Sequence, residues 1–424
     1  DNHGGMTNAP MLFTLGYFLN YVKARIDGWR TKAVVPHLGL GDGKSTSKTA
    51  DEKAQDHHLV LKAVFADLED IMKRGGLWTT FRGKKVLIKF WIQLIIGDTK
   101  GHNELCGHYT KSSSCRNPMR RCQCKKFDLS TIPMMCKPIL QKHIDECNGD
   151  VTELNKISQR PIENAFDQLA LADNVVGVRL VTPFENLHVF DIGILQYLVV
   201  VIVDMMTAYK KTKTGKNGKS QKKQRMTGSS KRDRERLDML VRQISTYLGR
   251  QSERDFPRRT HRAHFADASR LTGTERRGAV LCLAIVLHTD YGKQLFKPYL
   301  RKAKITVNHC QNAIVNILCY GKWLLQPNEA GEVISVRESV NRVFDQLFRA
   351  FPREDGDGWN IPKIHAAMMM WTQVFEDGNG DGINSCHGER FHKDVTNGAA
   401  KLTRKQSESM VKEMSDRLWE YITM

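Results

Sequence analysis

The chain has 424 residues and carries 65 Lys and Arg against 46 Asp and Glu, a formal charge of +19. Such a length supports a large core and two or three domains, which excludes a small disulfide-stapled scaffold. The charge points to an anionic partner, nucleic acid first and an anionic membrane surface second, and says nothing about fold.

The sequence starts at Asp1 with no initiating methionine, as expected of a chain whose N-terminal piece is missing. Two strand-like runs follow, MLFTLGYF and KAVVPHL, joined by a basic segment with Arg25, Trp29 and Arg30. Residues 39–53 read as a polar loop. Residues 57–74 read as an amphipathic helix, with Val60, Val64, Leu68, Ile71 and Met72 on one face and Gly75-Gly76 ending it. The run from Val86 to Ile96 is nearly all apolar and rich in β-branched and aromatic residues, which suits a central strand covered on both faces. It stops at Gly97-Asp98. A carboxylate at the end of a buried strand is rigidly held yet exposed, the placement a catalytic metal ligand needs, so Asp98 is the first candidate. The alternative is that Gly97-Asp98 only starts a turn.

Six of ten cysteines fall between Cys106 and Cys147, clustered rather than spread, which favours a reducing compartment with free thiols over a disulfide framework. Cys106, Cys115, Cys122, Cys124 and Cys136, with His108, His143 and Cys147 nearby, offer more than the four soft ligands that zinc takes. The spacing is irregular, with C-x-C instead of paired C-x-x-C knuckles, so structural zinc and ordinary reduced thiols both remain open.

Beyond Ser158 the pattern is mainly helical. The segment Glu185-Asn-Leu-His188, followed by Asp191, sets an acid and a histidine three apart at the start of an apolar helix expected over 189–206. Its longest apolar run, Ile192 to Val203, is too short to span a bilayer. Residues 210–236 contain almost no apolar side chain and read as a mobile basic loop, in which Lys222, Lys223 and Arg225 could track phosphates or simply be solvated. A second basic cluster includes Arg258, Arg259 and Arg262. Thr272-Gly-Thr-Glu275 is a capping box before an apolar helix over 279–288, and further helices are expected at 305–325, 333–351, 364–375 and 400–421. Asp377 to Gly382 opens like a calcium loop but lacks the acid at its twelfth position, so it reads as a turn-rich loop. In CHGERFHK, Glu389 either projects a carboxylate toward Asp98 or serves as a helix-start acid.

Four segments, taken together and in order, resemble transposases of the Plavaka and Kyakuja-Dileera-Zisupton type, which are eukaryotic cut-and-paste elements: MLFTLGYF…WR…VVPHL; LIIGDTKGHNELCGHYT with CRNPMRRCQC; PFENLHVFDIGILQYL; and CHGERFHK. The resemblance implies an α/β ribonuclease-H-like domain, here with its first strand missing, carrying a large mainly α-helical insertion and C-terminal helices. It divides the chain into a sheet portion (1–105), a Cys-rich segment (106–150), an acid–histidine region with a buried helix (151–209), a basic loop (210–236), a helical insertion (237–375) and a C-terminal segment with the third acid (376–424). It implies three carboxylates holding Mg2+ or Mn2+. Asp98 matches the second and Glu389 the third, while Asp1 lies close to where the first would be. Glu185 and His188 fit a [C/D]-x-x-H signature of the family, with Glu in place of Cys or Asp, and Asp191 follows as a further supporting acid. The implied activity is DNA strand cleavage and transfer in the nucleus. Transposon ends and target DNA would be the partners, with scope for a homo-oligomer and no membrane. The competing reading is a non-catalytic or domesticated DNA-binding relative.

Overall fold

The computed structural model describes residues 8–14, 30–36, 49–109, 115–130, 136–206, 228–249, 271–325, 333–353 and 356–377. The chain divides into two compact units, one of residues 1–128, 133–185 and 381–424 and the other of residues 129–132 and 186–380.

In the first unit, β1 (Asn8–Phe13) and β2 (Arg30–Pro36) pair antiparallel, with a register irregularity between Met11 and Leu12. Helix α1 (Ala50–Lys73) begins seven positions before the expected His57, because Thr49 and Glu52 form a capping box: the Thr49 hydroxyl accepts from the Glu52 amide and the Glu52 carboxylate accepts from the Thr49 amide. It ends at Gly75 and Gly76, both at positive φ.

The central strand expected over 86–96 is not formed as one element. Its first part joins a hairpin of β3 (Leu77–Phe81) and β4 (Lys84–Ile88), closed by Arg82 at φ 50 and Gly83 at φ 76. Two consecutive positive-φ residues match the twist of a tight hairpin, so this turn captures the run before it can continue into a sheet. Gly76 is needed beside it, since a Cβ there would lie 2.6 Å from the Ile88 carbonyl oxygen. The second part stays extended and is tied across to the 170–181 stretch. The Ile92 amide donates to Ala170 at 2.9 Å, the Ala172 amide to Ile92 at 3.0 Å and the Ile95 amide to Val181 at 2.6 Å. Among the described residues the named strands form two separate antiparallel pairs, and Ile92 with Leu171 makes an isolated parallel bridge.

The core of this unit gathers Leu61, Cys106, Ala165, Phe166, Leu169, Leu171, Val178 and Val181, with Ile92, Ile95, Phe65 and Met72 packed at its rim. The segment leading to Asp98 is therefore anchored through Ile92 and Ile95. Among its described residues the unit also has the short helices α2 (Thr99–Leu105), α3 (Gln141–Asp145), α4 (Val151–Lys156) and α5 (Val178–Val181).

The second unit is helical where described. A π-helical stretch (Leu187–Ile194) runs into α6 (Leu195–Met205). Together they make one 19-residue helix that is long and apolar enough to cross a membrane, unlike the shorter run read from the sequence. Its Phe190, Ile194, Leu195, Leu198 and Val199 are fully buried in the unit, as in a core helix. Helix α7 (Gly228–Gly249) starts inside the stretch expected to be a basic loop. Opposite charges one turn apart, Lys231 with Glu235 at 3.9 Å and Asp233 with Arg236 at 3.4 Å, support its polar first turns, and Leu237 and Val241 seat it in the core.

Helix α8 (Gly273–His288) carries the capping box anticipated at Thr272 and Glu275. Ala279, Val280, Cys282, Leu283 and Val286 have no exposed surface, so it is buried on several sides. Around it lie α6, α7, α9 (Asp290–Ala303) and α10 (Val307–Leu325). Helices α11 (Val333–Ala350) and α12 (Pro362–Asp377) follow, close to their expected bounds. Tyr320 knits the aromatic centre. Its ring lies 6.4 Å from Phe190 and 5.8 Å from Phe344, and its hydroxyl donates to the Ala367 carbonyl at 2.7 Å.

Candidate functional site

Asp98 sits where the core-anchored extended segment turns into α2, and it is exposed. It is the N-cap of that helix: Oδ1 accepts from the Gly101 amide at 2.6 Å. Its side chain thus satisfies an end-of-helix donor, while Oδ2 makes no hydrogen bond among the described residues. The turn reading and the ligand reading both fit this geometry, because capping uses one oxygen and leaves the other open to a hard cation.

Behind Asp98 lies a polar network that the sequence reading did not single out. Arg120 is 2% exposed. Its Nη2 donates to the Thr182 carbonyl at 2.8 Å, the Pro183 carbonyl at 2.8 Å and His102 Nδ1 at 3.1 Å, and its guanidinium stacks 4.8 Å over Phe184. Burial pushes the guanidinium down to about 10, and the charges of Cys106, Asp98 and Glu185 act against that fall. Two acids 87 positions apart, Asp98 and Glu185, thus fall within the field of one buried cation. His102 belongs to α2 and Thr182–Pro183 precede Glu185, so Arg120 clamps the Asp98-capped helix to the irregular segment that leads to Glu185.

A second buried guanidinium supports the first. Arg179 donates to Gln159 Oε1 and to the Cys106 carbonyl at 3.4 Å, and Gln159 Nε2 donates to the same carbonyl at 3.1 Å. The Cys106 thiol lies 3.3 Å from the Thr182 hydroxyl. Arg120 lies inside CRNPMRRCQC, where an arginine among several basic residues carries no sign of burial.

Glu185 is 2% exposed and lies next to the chain boundary between the units, with His188 half-buried at the start of the π-helical stretch. Asp191 is occupied structurally. Arg277 of α8 grips it in bidentate fashion, with Nη2 2.9 Å from Oδ1 and 2.8 Å from Oδ2 and Nε 3.0 Å from Oδ1.

Of the five cysteines expected to ligate metal, the structure brings Cys122 and Cys136 together, with their Sγ atoms within 4.8 Å and neither in a disulfide. Antiparallel backbone pairing holds them there: the Gln123 amide donates to Lys137 at 2.9 Å and the Ile139 amide to Arg121 at 3.1 Å. Two thiolates on one tetrahedral zinc lie about 3.8 Å apart, within this range, so the pair can contribute to a metal site. Cys106 is a core residue with no exposed surface, turned to Thr182. Cys115 donates to the Tyr109 carbonyl at 3.5 Å, with its thiol pushed up by burial, and Cys124 to the Lys125 carbonyl at 3.6 Å. These contacts place Cys106, Cys115 and Cys124 in separate settings, so the five do not act as one ligand set.

Asp1, Glu389, Lys222, Lys223, Arg225, Arg258, Arg259 and Arg262 lie outside the described residues, as do most of the calcium-like loop and the helix expected over 400–421. Compared with known proteins, the chain matches no family model and no curated protein.

Proposed function

We propose that this chain is a DNA-processing protein of the Plavaka or Kyakuja-Dileera-Zisupton transposase type, acting on nuclear DNA through divalent-metal-dependent phosphodiester cleavage and strand transfer, on a ribonuclease-H-like framework. The observation that supports this reading is the placement of Asp98: exposed at the end of a core-anchored extended segment, with one carboxylate oxygen free and Glu185 sharing the field of the same buried Arg120. Asp98 would be a ligand, with Glu389 and Asp1 completing the set. Mg2+ bound there would supply charge stabilisation to the attacking and leaving oxygens. The chain's own contribution is positional, because Arg120 fixes α2 and its cap against the 182–185 segment, and the basic surfaces hold phosphates. Cys122 and Cys136 are proposed as two ligands of a structural zinc.

A second reading has an observation of its own. The 2.6 Å bond from Gly101 gives Asp98 a capping role that survives without catalysis, as in a domesticated DNA-binding relative. Incubation of the chain with supercoiled DNA and Mg2+ separates the two. The catalytic reading expects nicking that EDTA and Asp98→Asn both abolish. Nicking untouched by Asp98→Asn removes Asp98 from the chemistry, and metal-independent DNA binding without nicking selects the second reading.

A further inference from the structure

The β3–β4 hairpin has the composition of a binding surface and is uncovered. A two-stranded ribbon alone is marginal in water and normally hides one face, yet here Trp78 is 65% exposed, Phe81 61% and Trp91, three residues beyond β4, 62%. Only the central Thr79 and Val86 are partly covered. An apolar ribbon left open in this way marks an interaction site.

Its charge selects the partner. From Gly75 to Gly97 there is no acid, and Arg82, Lys84, Lys85 and Lys89 fall inside that span. None of these four cations has an ion pair among the described residues, and Arg82 instead sits 5.4 Å over the Phe81 ring. The strand register interleaves the two residue types. Trp78 opposite Leu87 shares a face with Thr80 opposite Lys85, and Phe81 opposite Lys84 shares the other face with Leu77 opposite Ile88. A membrane-seated ribbon would put its rings on one face and its cations at the rim. Here each face carries an aromatic and a lysine side by side, the pattern that stacks a base and contacts its neighbouring phosphate.

We infer that the β3–β4 hairpin, through Trp78, Phe81 and Trp91 with Arg82, Lys84, Lys85 and Lys89, is a platform for single-stranded nucleic acid. The inference does not depend on the cleavage reading of Asp98. The test is fluorescence titration of the whole chain with a short oligothymidylate in EDTA, so that strand cleavage plays no part. Binding should quench tryptophan emission. Trp78→Ala with Trp91→Ala should weaken affinity about tenfold or more for each ring removed, with the circular dichroism of the chain unchanged. Lys84→Ala with Lys85→Ala should reduce the salt dependence of binding by about one to two counterions. Equal affinity in the wild type and the ring variant overturns the inference. So does tighter, ring-independent binding to duplex DNA, or ring-dependent binding to phosphatidylserine vesicles in place of the oligonucleotide.

Discussion

Replacing Arg120 probes the clamp behind Asp98 with two variants whose order is informative. In Arg120→Met the side chain keeps its length but loses its donors, leaving the Thr182 and Pro183 carbonyls, each now 2.8 Å from Nη2, without that partner. Stranding two buried acceptors costs roughly 1–3 kcal/mol apiece, and losing the stack on Phe184 costs about 1 kcal/mol. Against this, the fall of the guanidinium from its ordinary range to about 10 represents a burial cost of about 3 kcal/mol that disappears with the charge. The net loss for Met is therefore about 2 kcal/mol. Arg120→Lys keeps the buried charge but gives up the planar fork, so it should lose at least as much, about 3 kcal/mol. Urea denaturation of both variants, with amide exchange at His102 and Cys106 as the local reporter, measures the order. A Lys variant as stable as the wild type would refute the fork argument.

Gly321→Ala should destabilise the helical unit by about 1–3 kcal/mol, since its Cβ would fall 2.3 Å from Phe190 Cε1 in a packed aromatic centre; thermal melts read the loss. Thr272→Ala should cost about 1 kcal/mol in the same assay by removing the α8 capping box. His58 links stability to pH. Its Nδ1 accepts from the Ala165 amide at 3.1 Å and its Nε2 lies 3.0 Å from the Glu104 carbonyl, so the neutral ring is the one that fits, and burial pushes it down to about 4. The unfolded chain then takes the proton first, so stability is intact above pH 6.5 and falls by about 3 kcal/mol as pH drops to 4. His58→Asn should flatten that slope in urea titrations across the window.

The helices were the legible part of the fold. Their apolar spacing predicted α10, α11 and α12 to within a few residues, and the Thr272–Glu275 box marked the start of α8. The equally clear Thr49–Glu52 box lies within the mostly polar stretch 39–53, whose composition hides the helix start. The apolar run after Lys84 misled for a physical reason: strand length is set by the turn before it and the partners beside it, and neither the positive φ of Arg82 nor the link from Ile92 to Leu171 is visible in composition. Charge misled over 228–236, where pairs one turn apart sustain a helix that carries little apolar surface of its own. Asp98 stood out in the sequence as the acid after a hydrophobic run, and the structure leaves it exposed as the N-cap of α2. The buried arginines behind it could not be read, because an arginine looks the same in sequence whether it faces water or three acceptors.

Iron-directed backbone cleavage tests the proposed metal position most directly. Fe2+ with ascorbate, replacing Mg2+ on the chain, cuts the backbone next to wherever the divalent ion sits. The proposal predicts cuts adjacent to residue 98 that Mg2+ competes away and Asp98→Asn eliminates. Cuts confined to other segments, or a pattern unchanged in Asp98→Asn, would contradict it.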